Sequence, residues 1–220
     1  MSRDDFYASP FGAFYSAYME RPWLARRISR LVWGGDTGAY YASMNAIADV
    51  GEGGTIVDCP CGAGAAFRTV PPAVSTRYVA VDLSPSMLAR ARVRAEAAGL
   101  DNVEFVRGEA TDIPLPPSSA DLFLSFWGLH CFDDPQAAIA EATRIVAPGG
   151  RLVGCTFVRG TEGLRQRLLV RPGLGDFGRV ATAPEVEGYL RAGQLDIKSM
   201  HRSGPMLFFD ARQRAESATD

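Results

Sequence analysis

T-I-V-D-C-P-C-G-A-G-A-A-F, residues 55–67, is the stretch that decides the fold. Thr55, Ile56 and Val57 are β-branched and read as the start of a buried strand. Gly62 and Gly64 then mark a tight turn, and the small residues after them open a helix. Glycine reaches backbone angles that other residues avoid and lets a ligand touch the main chain. A strand, a tight turn and a helix start at the carboxyl edge of a parallel sheet form the place where α/β proteins hold cofactors.

Outward from there the chain alternates. Strands are expected at 55–59, 78–83, 103–107, 121–126 and 151–157, short and apolar as strands covered on both faces should be. Two more are expected at 195–201 and 206–210. Ser84-Pro85 reads as an N-cap followed by proline at the first helical position, and Met87, Leu88, Ala91, Ala95 and Ala98 recur at helical spacing up to Gly99. Asp134-Pro135 opens another helix with Ala138, Ala142, Ile145 and Val146 on one face, closed by Pro148-Gly149-Gly150. This pattern predicts an α/β fold, a doubly wound, Rossmann-like, seven-stranded and mostly parallel sheet with right-handed crossovers. The organisation expected is one domain over 1–220. Within it, 1–50 is a helical arm or lid, 51–158 a cofactor-binding core, 159–194 a substrate-side insert and helix, and 195–212 a C-terminal pair of strands.

Composition narrows the function classes. The 220 residues are 47% hydrophobic and 22% charged, with a mean hydropathy near zero, which suits an ordinary globular chain. The most apolar stretch, 122–129, is far shorter than the ~20 residues that cross a bilayer, and no membrane span is expected. No apolar run in the first thirty residues resembles a secretory signal, so the expected compartment is the cytoplasm. A net charge of −2 argues against a nucleic-acid surface. Lys198 is the only lysine among 23 basic residues, a skew that reflects coding bias in a GC-rich genome. Cys59, Cys61, Cys131 and Cys155 make neither paired C-x-x-C knuckles nor a disulfide ladder. Cys59 and Cys61 are read as thiols on one face of a strand, and no metal is expected. Asp133 and Asp134 resemble a metal pair, but Asp134 before Pro135 is better explained as a helix cap.

Two cofactor classes use a glycine turn of this kind. Dinucleotide-binding domains want a third glycine, G-x-G-x-x-G, where this chain has Phe67. Here an acid, Asp58, sits at the strand tip before the turn. It would oppose a pyrophosphate and attract an ammonium. Asp82, 18 residues past Gly64 at the end of the next strand, suits the two ribose hydroxyls of a nucleoside. The cofactor read from these residues is S-adenosyl-L-methionine.

On these motifs the chain resembles the class I S-adenosylmethionine-dependent methyltransferases, most closely their small-molecule, ubiquinone/menaquinone-type branch. The family's first motif, an acid followed by x-G-x-G-x-G, corresponds to Asp58, Cys59, Pro60, Cys61, Gly62, Ala63 and Gly64, with Pro60 in place of the first glycine. V-A-V-D-L-S-P-S-M-L matches the second and implies Asp82 on the ribose with Leu83 and Met87 around the adenine. G-E-A-T-D-I-P-L-P resembles the third, which implies Glu109 near the adenine amino group and Ala110 beside the ring. S-A-D-L-F-L-S-F-W-G-L-H-C-F-D-D-P and A-P-G-G-R-L correspond to the fourth strand and the turn into the fifth. Within the first of these, Ser125 is assigned to the cofactor.

The acceptor is less legible. The first 41 residues hold 10 of the 22 aromatics, and this arm is read as packing on the sheet edge or closing over the cofactor, with Tyr15 and Tyr18 nearest to it. Trp127, His130, Trp33 and Phe157 are read as the substrate pocket of a small acceptor, apolar or aromatic. His130 lies four residues past the fourth strand and is a candidate base for hydroxyl attack, the alternative being that it only packs beside Trp127 and Phe132 or bonds a backbone carbonyl. S-F-W-G stands where amino-methylating nucleic-acid enzymes carry D/N-P-P-Y/F. The expected partners are therefore a small acceptor molecule and no nucleic acid, with the chain a monomer or homodimer. A non-catalytic regulator that binds the same cofactor and a nucleotide-dependent oxidoreductase remain as alternatives.

Overall fold

Seven strands form in chain order: β1 (Thr55–Asp58), β2 (Arg77–Asp82), β3 (Val103–Arg107), β4 (Ala120–Phe126), β5 (Val146–Phe157), β6 (Leu195–Ser203) and β7 (Met206–Gln213). They make one sheet in the order β3-β2-β1-β4-β5-β7-β6, parallel from β3 through β5, with β7 antiparallel to both β5 and β6. The computed structural model describes residues 21–71, 75–160 and 180–215. The expected Rossmann-like α/β architecture is the one observed.

Successive strand residues point to opposite faces, and the sheet is covered on both. Val57, Val79, Val81 and Phe123 face helices α4 (Pro135–Ile145) and α5 (Ala183–Ala192), packing with Ile139, Ala142, Val186 and Leu190. Ile56, Tyr78, Ala80, Leu122 and Leu124 face α3 (Pro85–Ala97) and the 3₁₀ turn Met44–Asp49, against Leu88, Ala91, Ala95 and Met44. Ser84 caps α3 by accepting from the Met87 N–H at 3.3 Å, and Asp134 caps α4 by accepting from Ala137 N–H at 3.0 Å. The cap reading of Asp134 holds. Among the described residues no helix is long and apolar enough to cross a membrane.

Three local expectations change. The helix before β5 stops at Ile145, and the Pro148-Gly149-Gly150 stretch lies inside β5 instead of closing the helix. Ala120 pairs with Val146 and Leu122 with Arg151, so the turn is absorbed as an irregularity in the β4–β5 ladder, with Gly149 at φ +79°. The residues after Gly64 form a 3₁₀ turn, Ala65–Thr69, and not an α-helix. Cys59 and Cys61 do not share a face. The strand ends at Asp58, the two-residue alternation ends with it, and Cys59 joins the core beside α4 while Cys61 joins the core beside α3.

The arm begins in the description at α1 (Pro22–Val32), followed by α2 (Gly38–Ser43). The inward face of α1 is Ala25 and Ser29, while Leu31 is 66% exposed. Small residues let this short helix sit close. Asp36 pairs with Arg26 and Arg30, and its own N–H donates to Ser203 Oγ at 2.7 Å, tying the α1–α2 turn to the β6–β7 turn. A Cβ on Gly35 would overlap the Ser203 carbonyl. Tyr40 and Trp33 are thereby held over the carboxyl edge of the sheet.

The start of α5 carries a full capping box, with Thr182 Oγ1 accepting from Glu185 N–H and Glu185 Oε2 accepting from Thr182 N–H at 2.7 Å. Those bonds hold the Glu185 carboxyl down at about 2. Thr182→Ala is expected to lower stability by about 1 kcal/mol, the usual cost of a lost N-cap, measured by urea denaturation. A change near zero would mean that the helix start is held by its packing alone.

Candidate active site

The carboxyl ends of β1, β2 and β4 meet at the 59–64 turn. Cys59 N–H donates to Leu124 O and Cys61 N–H to Val81 O, both at 2.9 Å, so the turn is stitched to each neighbouring strand. Gly62 and Gly64 sit at φ +52° and +78°, in the left-handed region that favours glycine. A side chain at Gly64 would overlap the buried Phe67 ring, whereas one at Gly62 would meet nothing within 4 Å. The turn is therefore tight beneath Gly64 and open above Gly62. The Cys59–Pro60 peptide is cis, and the Pro60 ring packs so closely on Gly128 that a Cβ there would overlap it. The departure at Pro60 is matched by a glycine on the β4 loop.

Two carboxyls lie at the ends of the strands beside this turn. Asp82 Oδ2 accepts from Gly62 N–H and Oδ1 from Ser84 N–H, each at 2.9 Å. Those bonds fix the plane of the carboxylate. Asp58 is 2% exposed and accepts from the Tyr78 hydroxyl at 2.8 Å. Burial pushes its carboxyl from 3.8 up to about 7; the Tyr78 bond opposes that rise and the nearby Asp82 adds to it. Among the described residues no arginine pairs with Asp58. A buried acid with no cation paired to it among the described residues suits a cation as its partner. Residues of this kind fit a ligand with an ammonium and a ribose.

Above the carboxyl ends of β4 and β5 stands an aromatic group. Trp127 contacts Phe157 with ring centroids 5.1 Å apart, Trp33 contacts Phe157 at 5.2 Å, and Tyr40 contacts Trp127 at 5.4 Å. Trp127 adopts φ +58°, and its indole Nε1 is buried without a hydrogen-bond partner among the described residues. A non-glycine left-handed residue costs roughly 1–3 kcal/mol, and an unsatisfied buried donor about as much again. The Trp127 N–H, donating to Cys155 O at 2.8 Å, helps to hold the strained backbone.

His130 lies beneath this group, 4% exposed, against Phe157. Its Nδ1 accepts from Phe157 N–H at 3.3 Å and meets Thr156 Oγ1 at 3.1 Å. Accepting at Nδ1 places the proton of the neutral ring on Nε2. Burial drives the imidazole down to about 3. A ring this hard to protonate, with its Nδ1 lone pair already engaged, is poorly suited to take a proton from a substrate hydroxyl. The geometry weighs against the base reading: the bonds of His130 to Thr156 and Phe157 pin the Leu129–Cys131 turn to β5.

The structure thus assembles the expected residues into neighbouring groups. Asp58, Gly62, Gly64 and Asp82 surround the turn. Leu83 is 48% exposed and Met87 buried at the start of α3. Gly108 N–H donates to Asp82 O at 3.3 Å and brings the exposed Glu109 and the half-buried Ala110 to the same edge. Cys59, Ala110 and Ser125 line a small cavity on the α4 side with Leu129 and Phe132. Trp33, Trp127, His130 and Phe157 form the aromatic group. Tyr15 and Tyr18 lie outside the described residues. Sequence reasoning missed Tyr40, Tyr78 and Gly128. Tyr78 read as an ordinary strand residue, and Tyr40 was one aromatic among ten.

Comparisons with known proteins agree with this geometry. The methyltransferase-domain family model matches residues 57–154. A demethylmenaquinone methyltransferase of Thermus thermophilus is 36% identical over 142 residues, covering 59% of this chain and 64% of that protein. One of Clavibacter sepedonicus is 37% identical over 116 residues, covering 53% of this chain and 46% of that protein. The chain thus spans between about half and two-thirds of the length of these relatives. Among solved structures, a SAM-dependent methyltransferase from Aquifex aeolicus superposes with a TM-score of 0.61 at 22% identity, covering 84% of this chain and 92% of that one. Geranyl diphosphate methyltransferase in complex with SAM superposes with a TM-score of 0.67 at 15% identity, covering 81% and 85%, a likeness of fold.

Proposed function

We propose that this chain is a class I S-adenosylmethionine-dependent methyltransferase, on its match to the methyltransferase-domain model and to relatives 36% and 37% identical, and that it methylates a small, apolar or aromatic acceptor. The observation that carries the reading is Asp82 bonded to the N–H of Gly62, whose other side is open, with the buried acid Asp58 close enough to Asp82 to interact with it. Asp82 would take the ribose hydroxyls, Asp58 the amino group, and the 62–64 backbone the methionine chain. Leu83, Met87, Glu109 and Ala110 would surround the adenine.

S-adenosylmethionine supplies, when bound, an electrophilic methyl on a sulfonium. Displacement at such a methyl needs an aligned nucleophile and the exclusion of water more than it needs covalent help. In this chain the Trp33, Trp127 and Phe157 rings would exclude water and stack on the acceptor. Asp58 and Asp82 would hold the donor from the opposite side, so that the two reactants meet above the β4 end. His130 acts here as a positioning residue, holding Thr156 and Phe157 in place.

Turnover at saturating donor should therefore show no inflection near pH 6.5, the ordinary histidine value. A fall in rate centred there, absent from His130→Gln, would restore His130 as the base. The activity itself is tested by incubating the full chain with methyl-labelled S-adenosylmethionine and a metabolite extract, followed by mass spectrometry. A labelled small product is expected. Binding of the cofactor with no labelled product in any fraction would favour the regulator.

A further inference from the structure

We infer that Tyr78 is a positioning residue of the methyl-donor site: its buried hydroxyl orients the Asp58 carboxyl for the amino group of the donor, while Tyr78 itself touches no ligand. The inference rests on the methyl-donor reading above and adds to it a residue that lies outside the glycine-turn motif.

The placement follows from the register of two strands. β1 and β2 run parallel with Ile56 opposite Tyr78 and Asp58 opposite Ala80, so these four residues share one face of the sheet. Tyr78 is fully buried, and it reaches one pleat along the strands to donate to Asp58 Oδ2 at 2.8 Å. Alanine at position 80, opposite the acid, leaves room for that reach. The ring is held from the side of the turn. Phe67 meets it edge-on, with centroids 5.2 Å apart and planes at 82°, and the same Phe67 ring fills the space beneath Gly64. A chain of contacts therefore runs from the glycine turn through Phe67 and Tyr78 to Asp58.

A tyrosine that served only the core could be a phenylalanine, since a buried hydroxyl is costly without a partner. Here the partner is Asp58, and among the described residues Tyr78 is the only group that hydrogen-bonds that carboxyl. One oxygen is thereby taken, and the other, Oδ1, accepts from no described residue. A hydroxyl donor also favours the ionised carboxyl, the form that an ammonium needs, and so works against the burial that pushes Asp58 up to about 7. The other titratable groups facing Asp58 give no such help. Asp82 on β2 opposes its ionisation, and burial keeps the Cys59 and Cys61 thiols of the turn and the Tyr40 hydroxyl of α2 neutral.

The test titrates two ligands calorimetrically into the full chain at pH 8: S-adenosylhomocysteine, and 5′-methylthioadenosine, which keeps the adenosine and the thioether but lacks the amino acid chain. Tyr78→Phe is expected to weaken S-adenosylhomocysteine about tenfold and to leave 5′-methylthioadenosine within about threefold. In the same variant the pH above which S-adenosylhomocysteine affinity levels off should move upward, because ionised Asp58 has lost its bond. A residue that only fills the core would move both ligands together or neither, and would leave the pH profile in place. Either result overturns the inference. Should 5′-methylthioadenosine bind too weakly to measure, the pH profile alone decides. If Tyr78→Phe does not fold, its addition to Asp58→Asn decides, since no carboxylate is then left buried without its partner. S-adenosylhomocysteine affinity within about threefold of Asp58→Asn alone is then expected, and a further loss of about tenfold overturns the inference. The wild-type titration comes first. Silence there would fail the methyl-donor reading and this inference with it, whereas wild-type binding that Tyr78→Phe leaves unchanged overturns the inference alone.

Discussion

Asp82→Asn should weaken S-adenosylhomocysteine binding by about a hundredfold while the sheet stays folded. The carboxylate accepts from Gly62 N–H and Ser84 N–H, one on each oxygen. An amide can accept on one side only, so its NH₂ must face one of those two N–H groups, and either the turn or the α3 cap is disturbed. The ligand loses in addition a charge-assisted bond from a ribose hydroxyl, and hydrogen bonds to charged groups contribute roughly 1.5–3 kcal/mol each. The check is calorimetric titration at matched pH, with circular dichroism to verify the fold. An affinity within threefold of wild type would remove Asp82 from the site.

Asp58→Asn should do two opposite things. The buried carboxyl is displaced from 3.8 up to about 7. At about 1.4 kcal/mol per unit this is an upper figure of about 4 kcal/mol by which the ionised group opposes folding above that pH. The sign follows from the direction of the shift. The protonated form belongs to the folded state, so this stability is complete below pH 3.8, declines as pH rises and is gone above about 7. Asparagine keeps an acceptor for the Tyr78 hydroxyl without the charge. At pH 8 the unliganded variant should gain on the order of 2 kcal/mol, which for a chain of this size raises Tm by roughly 4–8 °C. It should also lose the ammonium contact and bind the donor and its product roughly ten- to a hundredfold more weakly. Stability forgone for binding is a familiar feature of functional sites.

The same acid gives wild-type binding its own pH profile. The ammonium needs the carboxylate, so affinity should rise as pH rises through about 7 and level off above it. Below that it should fall by up to about tenfold per pH unit. Asp58→Asn should flatten the profile.

Much of this site is legible in sequence because its chemistry is local. The 55–67 stretch sets a strand, a turn and two glycines next to one another. Asp82 is one strand further on, and β-α-β geometry brings consecutive parallel strands side by side. The helix starts were legible for a similar reason, since Ser84 and Asp134 cap turns three residues away. The C-x-C reading failed because it extended strand alternation past Asp58, where the chain had already turned. The burial of His130, which disfavours it as a base, was not legible because position along the chain says nothing of burial. The aromatic group joins Trp33 to Phe157 and Tyr40 to Trp127, 124 and 87 residues apart, and such pairings leave no periodicity to read. Pro60 is the instructive case. It looks like damage to the motif until Gly128, on another loop, is seen to receive its ring.

Titration of the full chain with S-adenosylhomocysteine in a calorimeter at pH 8, repeated with NAD, tests the central claim most directly. One site per chain of micromolar affinity is predicted for the first ligand, with no measurable heat from the second. Silence from S-adenosylhomocysteine, or comparable binding of NAD, would contradict the assignment of Asp58, Gly62, Gly64 and Asp82 to a methyl-donor site.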